Sequence, residues 1–249
     1  MTTRALPIGV IGLEIRRLTR NKRTVIFTLI MPAAFFLLFG SSPEYRTERV
    51  GDGNVTGYIL VSMAVYGAML AATSGGAMVS IERAAGWSRQ LRLTPLTPAA
   101  YIAMKIIVAM IVGAVAVLAV NLVGAFSGAE IPIGAWLACA LLAWLCSLVF
   151  AAFGLFMGYL LPSENVMQIL GPVLAVLSFA GGLFVPADQL GSTFATIAKF
   201  TPVYGVGELA RYPLTHDGDI WLALVSVVAW TGLFAAGAMW RFRRDTARV

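Results

Sequence analysis

The chain alternates long apolar runs with short polar islands. Six runs, 24–40, 57–80, 101–127, 135–161, 166–185 and 220–240, read as helices crossing a membrane. A hydrocarbon core of about 30 Å asks for roughly 20 apolar residues in helical form. Ahead of the first run, Ile8, Ile11, Ile15 and Leu18 recur at helical spacing, while Glu14, Arg16, Arg17 and Arg20 take other positions. Residues 1–23 are therefore expected to form an amphipathic helix in the interface, its arginines at the headgroups. A soluble leader is the alternative. A cleaved signal peptide fits less well, because the charged region is long and the run after it spans a full bilayer.

The runs carry their own punctuation. Pro32 sits in the first, where a membrane helix tolerates it if neighbours satisfy the freed carbonyl. Gly67, Ala71 and Gly75 are four apart in the second, and Gly154 and Gly158 in the fourth, spacings that let helices approach closely. Residues 73–76 either pack another helix or line a path, with packing favoured. Asn121 needs a partner, expected on a neighbouring helix. Lys105 lies near one end of the third run and is expected to snorkel to the interface. The fifth run is expected to kink or break at Gly171–Pro172. Residues 41–56 read as a polar loop. The stretch 186–219 is too polar to span, yet Leu190, Phe194, Ile197 and Phe200 have roughly helical spacing, which suggests short re-entrant or interfacial helices. His216 falls in a T-H-D-G-D turn and reads as a solvated loop residue.

One island stands apart. Residues 81–98, I-E-R-A-A-G-W-S-R-Q-L-R-L-T-P-L-T-P, place Glu82, Arg83, Arg89, Gln90 and Arg92 among Trp87, Leu91, Leu93 and Leu96, closed by Pro95 and Pro98. A helix here puts Glu82, Gly86 and Arg89 roughly along one side, with Gly86 admitting a neighbouring backbone and Trp87 as an anchor. The spacing alone fits an ordinary basic loop with an interfacial tryptophan equally well.

Composition agrees with a membrane bundle. Of 249 residues 59% are hydrophobic and 12% charged, where a soluble domain is nearer half and a quarter. The net charge of +6 would suggest nucleic acid in a soluble chain. Here Lys and Arg gather at the ends of the runs, so nucleic acid is not expected as a partner. Arg4, Arg16, Arg17, Arg20, Lys22, Arg23, then Arg83, Arg89, Arg92, then Arg241, Arg243, Arg244 and Arg248 fall on one side of a six-span arrangement; Arg46, Arg49, Lys199 and Arg211 fall on the other. The positive-inside bias then puts both termini in the cytoplasm of a multi-pass plasma-membrane protein.

Little chemistry is visible. There is no G-x-x-x-x-G-K-[ST] loop, no H-E-x-x-H and no G-x-S-x-G. Cys139 and Cys146 share a helix face but lie about 10 Å apart along it, too far for a disulfide. No catalytic residue, metal site or cofactor site is expected, and no ionisable group is read as lying well inside a span, which argues against ion coupling.

Three segments resemble one family. The island E-R-A-A-G-W-S-R-Q-L-R-L-T-P is similar to the E-R-E-x-G-x-x-x-x-L-x-x-x-P pattern of type-2 ATP-binding-cassette exporter permeases, those for daunorubicin-like drugs and polyketide antibiotics above all. The opening E-I-R-R-L-T-R-N-K-R-T-V-I-F-T-L-I-M-P resembles that family's amphipathic leading helix and proline-bearing first span. G-G-L-F-V-P-A-D-Q-L, followed by K-F-T-P-V-Y, resembles its segment after the fifth span. The matches lie near the start, middle and end of the chain. Ala84 departs from a second acidic residue common in the family, and Ala180 from a serine.

The resemblance implies an all-α membrane protein in which 24–249 form a six-span permease domain. Glu82, Arg83, Gly86, Trp87, Arg89, Leu91, Arg92 and Pro95 would couple it to an ATPase. Arg16, Arg17 and Arg20 would support that contact, and Gly181, Gly182, Phe184 and Pro186 would belong to the outer gate. Two ATPase subunits carrying ATP and Mg, a second permease copy as homodimer or close paralogue, and lipid would be the partners. Such a complex would export an amphipathic or hydrophobic drug, antibiotic or lipid-like compound. The chain itself would be no enzyme. An anchor or sensor subunit, and then a secondary carrier, are the competing readings. Glu82→Lys is expected to insert normally but to uncouple transport.

Overall fold

The computed structural model of the chain describes residues 12, 13, 16, 20–86 and 98–247. Among the described residues the regular structure is helical apart from one two-stranded hairpin. Lys22–Val25 leads into α1 (Ile26–Gly40), which opens with a π-helical stretch, Ile26–Ile30. Pro32 lies in the first turn after that stretch. A wider turn is one way a helix absorbs the N–H that proline lacks.

The expected loop at 41–56 is instead ordered. It forms α2 (Pro43–Thr47) and a hairpin of β1 (Arg49–Val50) with β2 (Gly53–Asn54), register Arg49 opposite Asn54. Asn54 then caps α3 (Val55–Ala84), its Oδ1 accepting from Gly57 N–H at 2.9 Å. Asn54 is fully buried, and both ends of its amide are used. Oδ1 also accepts from Glu130 N–H at 3.0 Å, and Nδ2 donates to the carbonyls of Gly128 and Arg46 at 3.0 and 3.2 Å. One side chain thus ties three segments at what is called here the hairpin end of the bundle.

After α3 come α4 (Pro98–Ala125), α5 (Ile133–Cys146), α6 (Leu148–Leu160), α7 (Val166–Ala180), a short 3-10 turn Ala187–Leu190, α8 (Ser192–Ala198), α9 (Pro202–Thr215) and α10 (Ile220–Ala247). Among the described residues four helical stretches are long and apolar enough to cross a membrane: Val55–Ala84, Ala100–Ala125, Ile133–Leu160 and Ile220–Arg244. The first and fifth expected spans correspond to the shorter apolar helices Ile26–Gly40 and Val166–Ala180. Two boundaries differ from expectation. The fourth run, one stretch long enough to span, tightens at Ser147 where α5 passes into α6, the Ser147 N–H bonding to Trp144 O at 3.1 Å. The fifth is not broken at Gly171–Pro172: α7 runs through Pro172 and ends at Ala180.

Helix α3 is the axis. It is buried nearly all round, with α4 and α6 as its main neighbours, whereas much of α10 is exposed. Small residues decide how close those neighbours come. A Cβ on Gly154 would lie 2.2 Å from Thr73 O, one on Gly76 2.6 Å from Ala151 O, and one on Gly75 2.8 Å from Ala109 Cβ. Residues 73–76 therefore pack on two helices at once, α6 and α4. A Cβ on Gly67 would lie 3.3 Å from Pro32, so the Gly67–Ala71–Gly75 row serves α1 as well. The apolar side chains left exposed, such as Leu118, Leu137, Trp221 and Val228, are those a lipid-facing surface requires.

Candidate functional site

Among the described residues two places hold charge inside this bundle, one at each end of α3. At the loop end, α3 continues past the expected boundary at residue 80 to Ala84, and Glu82 faces inward, only 4% exposed. Its two carboxylate oxygens are shared: Oε2 accepts from the Tyr101 hydroxyl and Oε1 from the Lys105 ammonium, both on α4. Tyr101 and Lys105 are one turn apart on α4 and present both donors together. Lys105 is 1% exposed. The expected snorkelling is thus corrected: Lys105 finds a carboxylate inside the bundle, and turning inward costs less than it would unpaired.

Arg83, the next residue, turns the other way. Its Nη1 donates to the carbonyls of Gly158 and Tyr159 at 3.2 and 3.0 Å, in the last turn of α6, and its guanidinium lies 5.5 Å from the Tyr159 ring centre. The last carbonyls of a helix have no partner within it and carry its negative end, so a cation fits there. Glu82 and Arg83 together pin the end of α3 to α4 and to α6. Val79, Tyr101, Met104, Leu155 and Tyr159 close around them as a separate apolar cluster.

None of the described residues lies within 4 Å of where a Cβ on Gly86 would be. The Gly86 φ of 75° stops the helix, with its N–H bonded to Arg83 O at 3.0 Å. The helix that carries Glu82 therefore ends before Gly86. Trp87, Arg89, Leu91, Arg92, Pro95 and Arg17 lie outside the described residues. Arg16 and Arg20 are helical and exposed.

At the hairpin end, Gly181 and Gly182 terminate α7, Gly182 with φ 73°. Both are buried, and a Cβ on Gly181 would come 2.6 Å from Val203 Cβ. The turn throws Phe184 back onto Tyr66 of α3, ring centres 4.9 Å apart, with Phe179 at 4.8 Å and Phe35 of α1 at 6.2 Å. Pro186 follows, half-buried.

Above this aromatic cluster Arg211 of α9 is buried at 4% exposure. It donates to Ser62 Oγ on α3 at 3.2 Å, to Gly182 O at 3.3 Å and to Glu208 at 2.9 Å, and stacks 4.9 Å over the Tyr58 ring. The charge pattern groups Arg211 with the outer-side cations Arg46, Arg49 and Lys199; the structure makes it a tie between α3, α9 and the Gly181–Gly182 turn. The signal was present in T-P-V-Y-G-V-G-E-L-A-R: a Thr cap bonded to Tyr204 N–H, Pro202 at the first position, and Glu208 three residues before Arg211. Beside Arg211 opens a cavity of about 870 Å³, lined by Phe39, Tyr58, Met63, Phe184, Lys199 and Glu208 among others. Burial, with the Glu208 charge second, raises the Tyr204 phenol above its ordinary range, so it faces the cavity as a neutral hydroxyl.

Comparison with known proteins meets this geometry from outside. The family model described as ABC-2 type transporter matches residues 10–214. YvfS of Bacillus subtilis (strain 168), provisionally named a transport permease, is 26% identical over 227 residues, covering 89% of this chain and 90% of its own. The match therefore runs through both charged places and the turn between α7 and α8.

Proposed function

The chain belongs to the ABC-2 type transporter family, and from that premise we propose that it is the transmembrane subunit of an exporter driven by a separate ATPase. Members of this family are membrane components without an ATPase domain of their own, working with an ABC ATPase; that much makes this chain a membrane-integral transporter subunit and not an enzyme. The finer reading is ours: six spans, both termini cytoplasmic in the plasma membrane, two permease copies and two ATPase subunits carrying ATP and Mg.

The observation that supports it best is where α3 and α4 meet. A segment of basic and apolar residues, 87–97, connects two long helices whose adjoining ends are pinned together by buried charge. A partner pushing on that segment would move the most enclosed helix of the bundle. In this reading Arg83 and Gly86 shape the base of the docking segment, Trp87, Arg89, Leu91, Arg92 and Pro95 meet the ATPase, and Arg16, Arg17 and Arg20 flank it. Glu82 acts from inside. Glu82→Lys is therefore expected to disturb packing as well as coupling, since it would bury two ammonium groups side by side.

The outer gate in this reading is the Gly181–Gly182 turn with Phe184 and Pro186, closed from above by Arg211. The exported compound would be amphipathic or hydrophobic, a drug, antibiotic or lipid-like molecule, because the cavity wall offers Phe39, Tyr58, Met63 and Phe184.

The test is purification of the tagged chain from its native host in mild detergent, followed by uptake of fluorescent amphiphiles into inside-out vesicles. Recovery of a stoichiometric ATPase with a phosphate-binding loop, and uptake that stops with vanadate, is expected. Transport by the chain alone without ATP would replace this reading with a secondary carrier. An ATPase partner whose activity changes while nothing moves would replace it with a sensor subunit.

A further inference from the structure

The buried pair at the loop end has a mechanical consequence. Glu82 lies two residues from the end of α3, and Tyr101 and Lys105 lie in the first two turns of α4. Between them runs the whole loop. The three side chains therefore close that loop at its base, while Arg83 fixes the same point to the end of α6. Without such a cross-link, a displaced loop would fray the adjoining helix turns, whose backbone bonds are individually weak, and the motion would be absorbed locally. With it, α3, α4 and the end of α6 respond together.

We propose that Glu82, Tyr101 and Lys105 are positioning residues that clamp the base of the segment 85–97 between α3 and α4, so that its displacement is carried along α3 to the Gly181–Gly182 turn and is not dissipated at that segment. The proposal rests on the ATPase-driven reading above. A buried, hydrogen-bonded ion pair suits the role: it resists shear because separating the charges in a low-dielectric interior is costly. Helix α3 carries the motion because small residues seat it backbone against backbone on α6 and α4. From Glu82 to Ser62, the α3 contact of Arg211, is 20 residues, about 30 Å of helix and so about the thickness of a hydrocarbon core.

The experiment needs no knowledge of the exported compound. In the purified permease–ATPase complex with Cys139 and Cys146 changed to alanine, Met63→Cys is placed at the floor of the cavity, where the residue is 2% exposed. Its reaction with a membrane-impermeant maleimide is followed in vesicles with and without ATP and vanadate, alongside ATP hydrolysis. With the clamp intact, nucleotide is expected to raise the labelling rate roughly tenfold. Lys105→Met should keep hydrolysis but remove most of that rise, Tyr101→Phe should remove part of it, and the exchange Glu82→Lys with Lys105→Glu should return it.

Labelling is read per folded complex, so a residue serving stability alone would lower the yield and leave the ratio unmoved. If Lys105→Met accumulates poorly, Tyr101→Phe, which keeps both charges, carries the comparison. An unchanged nucleotide effect in Tyr101→Phe and Lys105→Met would overturn the clamp while the transporter reading stood. No nucleotide effect in the parent complex would overturn both.

Discussion

Among the described residues, Lys105 and Arg211 are both cations almost wholly withdrawn from solvent, and they solve the same problem differently. Lys105 meets a carboxylate on the neighbouring helix, charge against charge, at the junction of two regular helices. Arg211 shares its donors among a hydroxyl of α3, a backbone carbonyl of a glycine turn and a carboxylate on its own helix, with an aromatic ring beneath. The chemistry follows from the groups. An ammonium is a point charge with three donors; a guanidinium is a planar fork that can hold several acceptors in fixed directions. The loop end is a two-helix joint, and the hairpin end is a tie across three segments beside an open cavity. A joint transmits; a tie that includes a turn can be released.

The largest expected effects separate the two. Lys105→Met should lower stability by about 3–5 kcal/mol, because it strands the buried Glu82 carboxylate; Arg211→Met should cost about 2–4 kcal/mol, because it takes the buried donor from Gly182 O and Ser62, while Glu208, 22% exposed, can turn to the cavity. Adding Glu82→Gln to Lys105→Met should recover most of the loss, since a neutralised pair can be nearly cost-free. Adding Glu208→Gln to Arg211→Met should recover little, because Gly182 O still lacks its donor. Thermal unfolding in detergent measures both cycles, and equal recovery at the two ends would erase the distinction.

Next in size, Asn54→Ala removes four hydrogen bonds from the hairpin end and should cost about 3 kcal/mol. It should also raise proteolysis around residues 41–54 while sparing the Glu82 end; cleavage appearing first at 83–100 would contradict that localisation. Gly86→Ala should cost only about 1 kcal/mol, the strain of positive φ with no described residue near its Cβ. Unfolding midpoints of that variant lowered as much as those of Gly181→Ala, whose Cβ strikes Val203, would mean that Gly86 is crowded after all.

The smallest effect is expected at the rim. Asp52 and His216 pair at 2.8 Å, but both are more than half exposed. Asp52→Asn should shift stability by less than about 1 kcal/mol, and less still in high salt. The nearby bond from Asp52 N–H to Leu214 O, a backbone contact at 2.9 Å, should persist in that variant and hold the hairpin to α9.

Legibility followed the range of the interaction. Runs of apolar residues were enough to locate helices over all six expected segments, because helix formation in an apolar setting is governed by local hydrogen bonding. Gly154, Gly158 and residues 73–76 were readable as close-packing positions, since smallness matters wherever a partner comes. The partner was not readable: that Gly154 meets Thr73 while Gly75 meets Ala109 depends on how the helices are arranged. The tightening at Ser147 and the unbroken passage through Pro172 were likewise outside the reach of local rules, which describe what a residue permits and not what its neighbours compensate.

Charge was the most misleading signal. A lysine near the end of an apolar run and an arginine in a polar stretch were both assigned to the surface, because exposure is what each prefers without a partner. Glu82 and Lys105 are 23 positions apart, and Arg211 and Ser62 are 149 apart. The sequence by itself determined that this is an apolar helical bundle with a basic loop and a glycine turn, because those properties belong to segments. Only the tertiary structure decided which charges are interior, since the desolvation that keeps a lone charge outside is reversed only by a partner held in place by the fold.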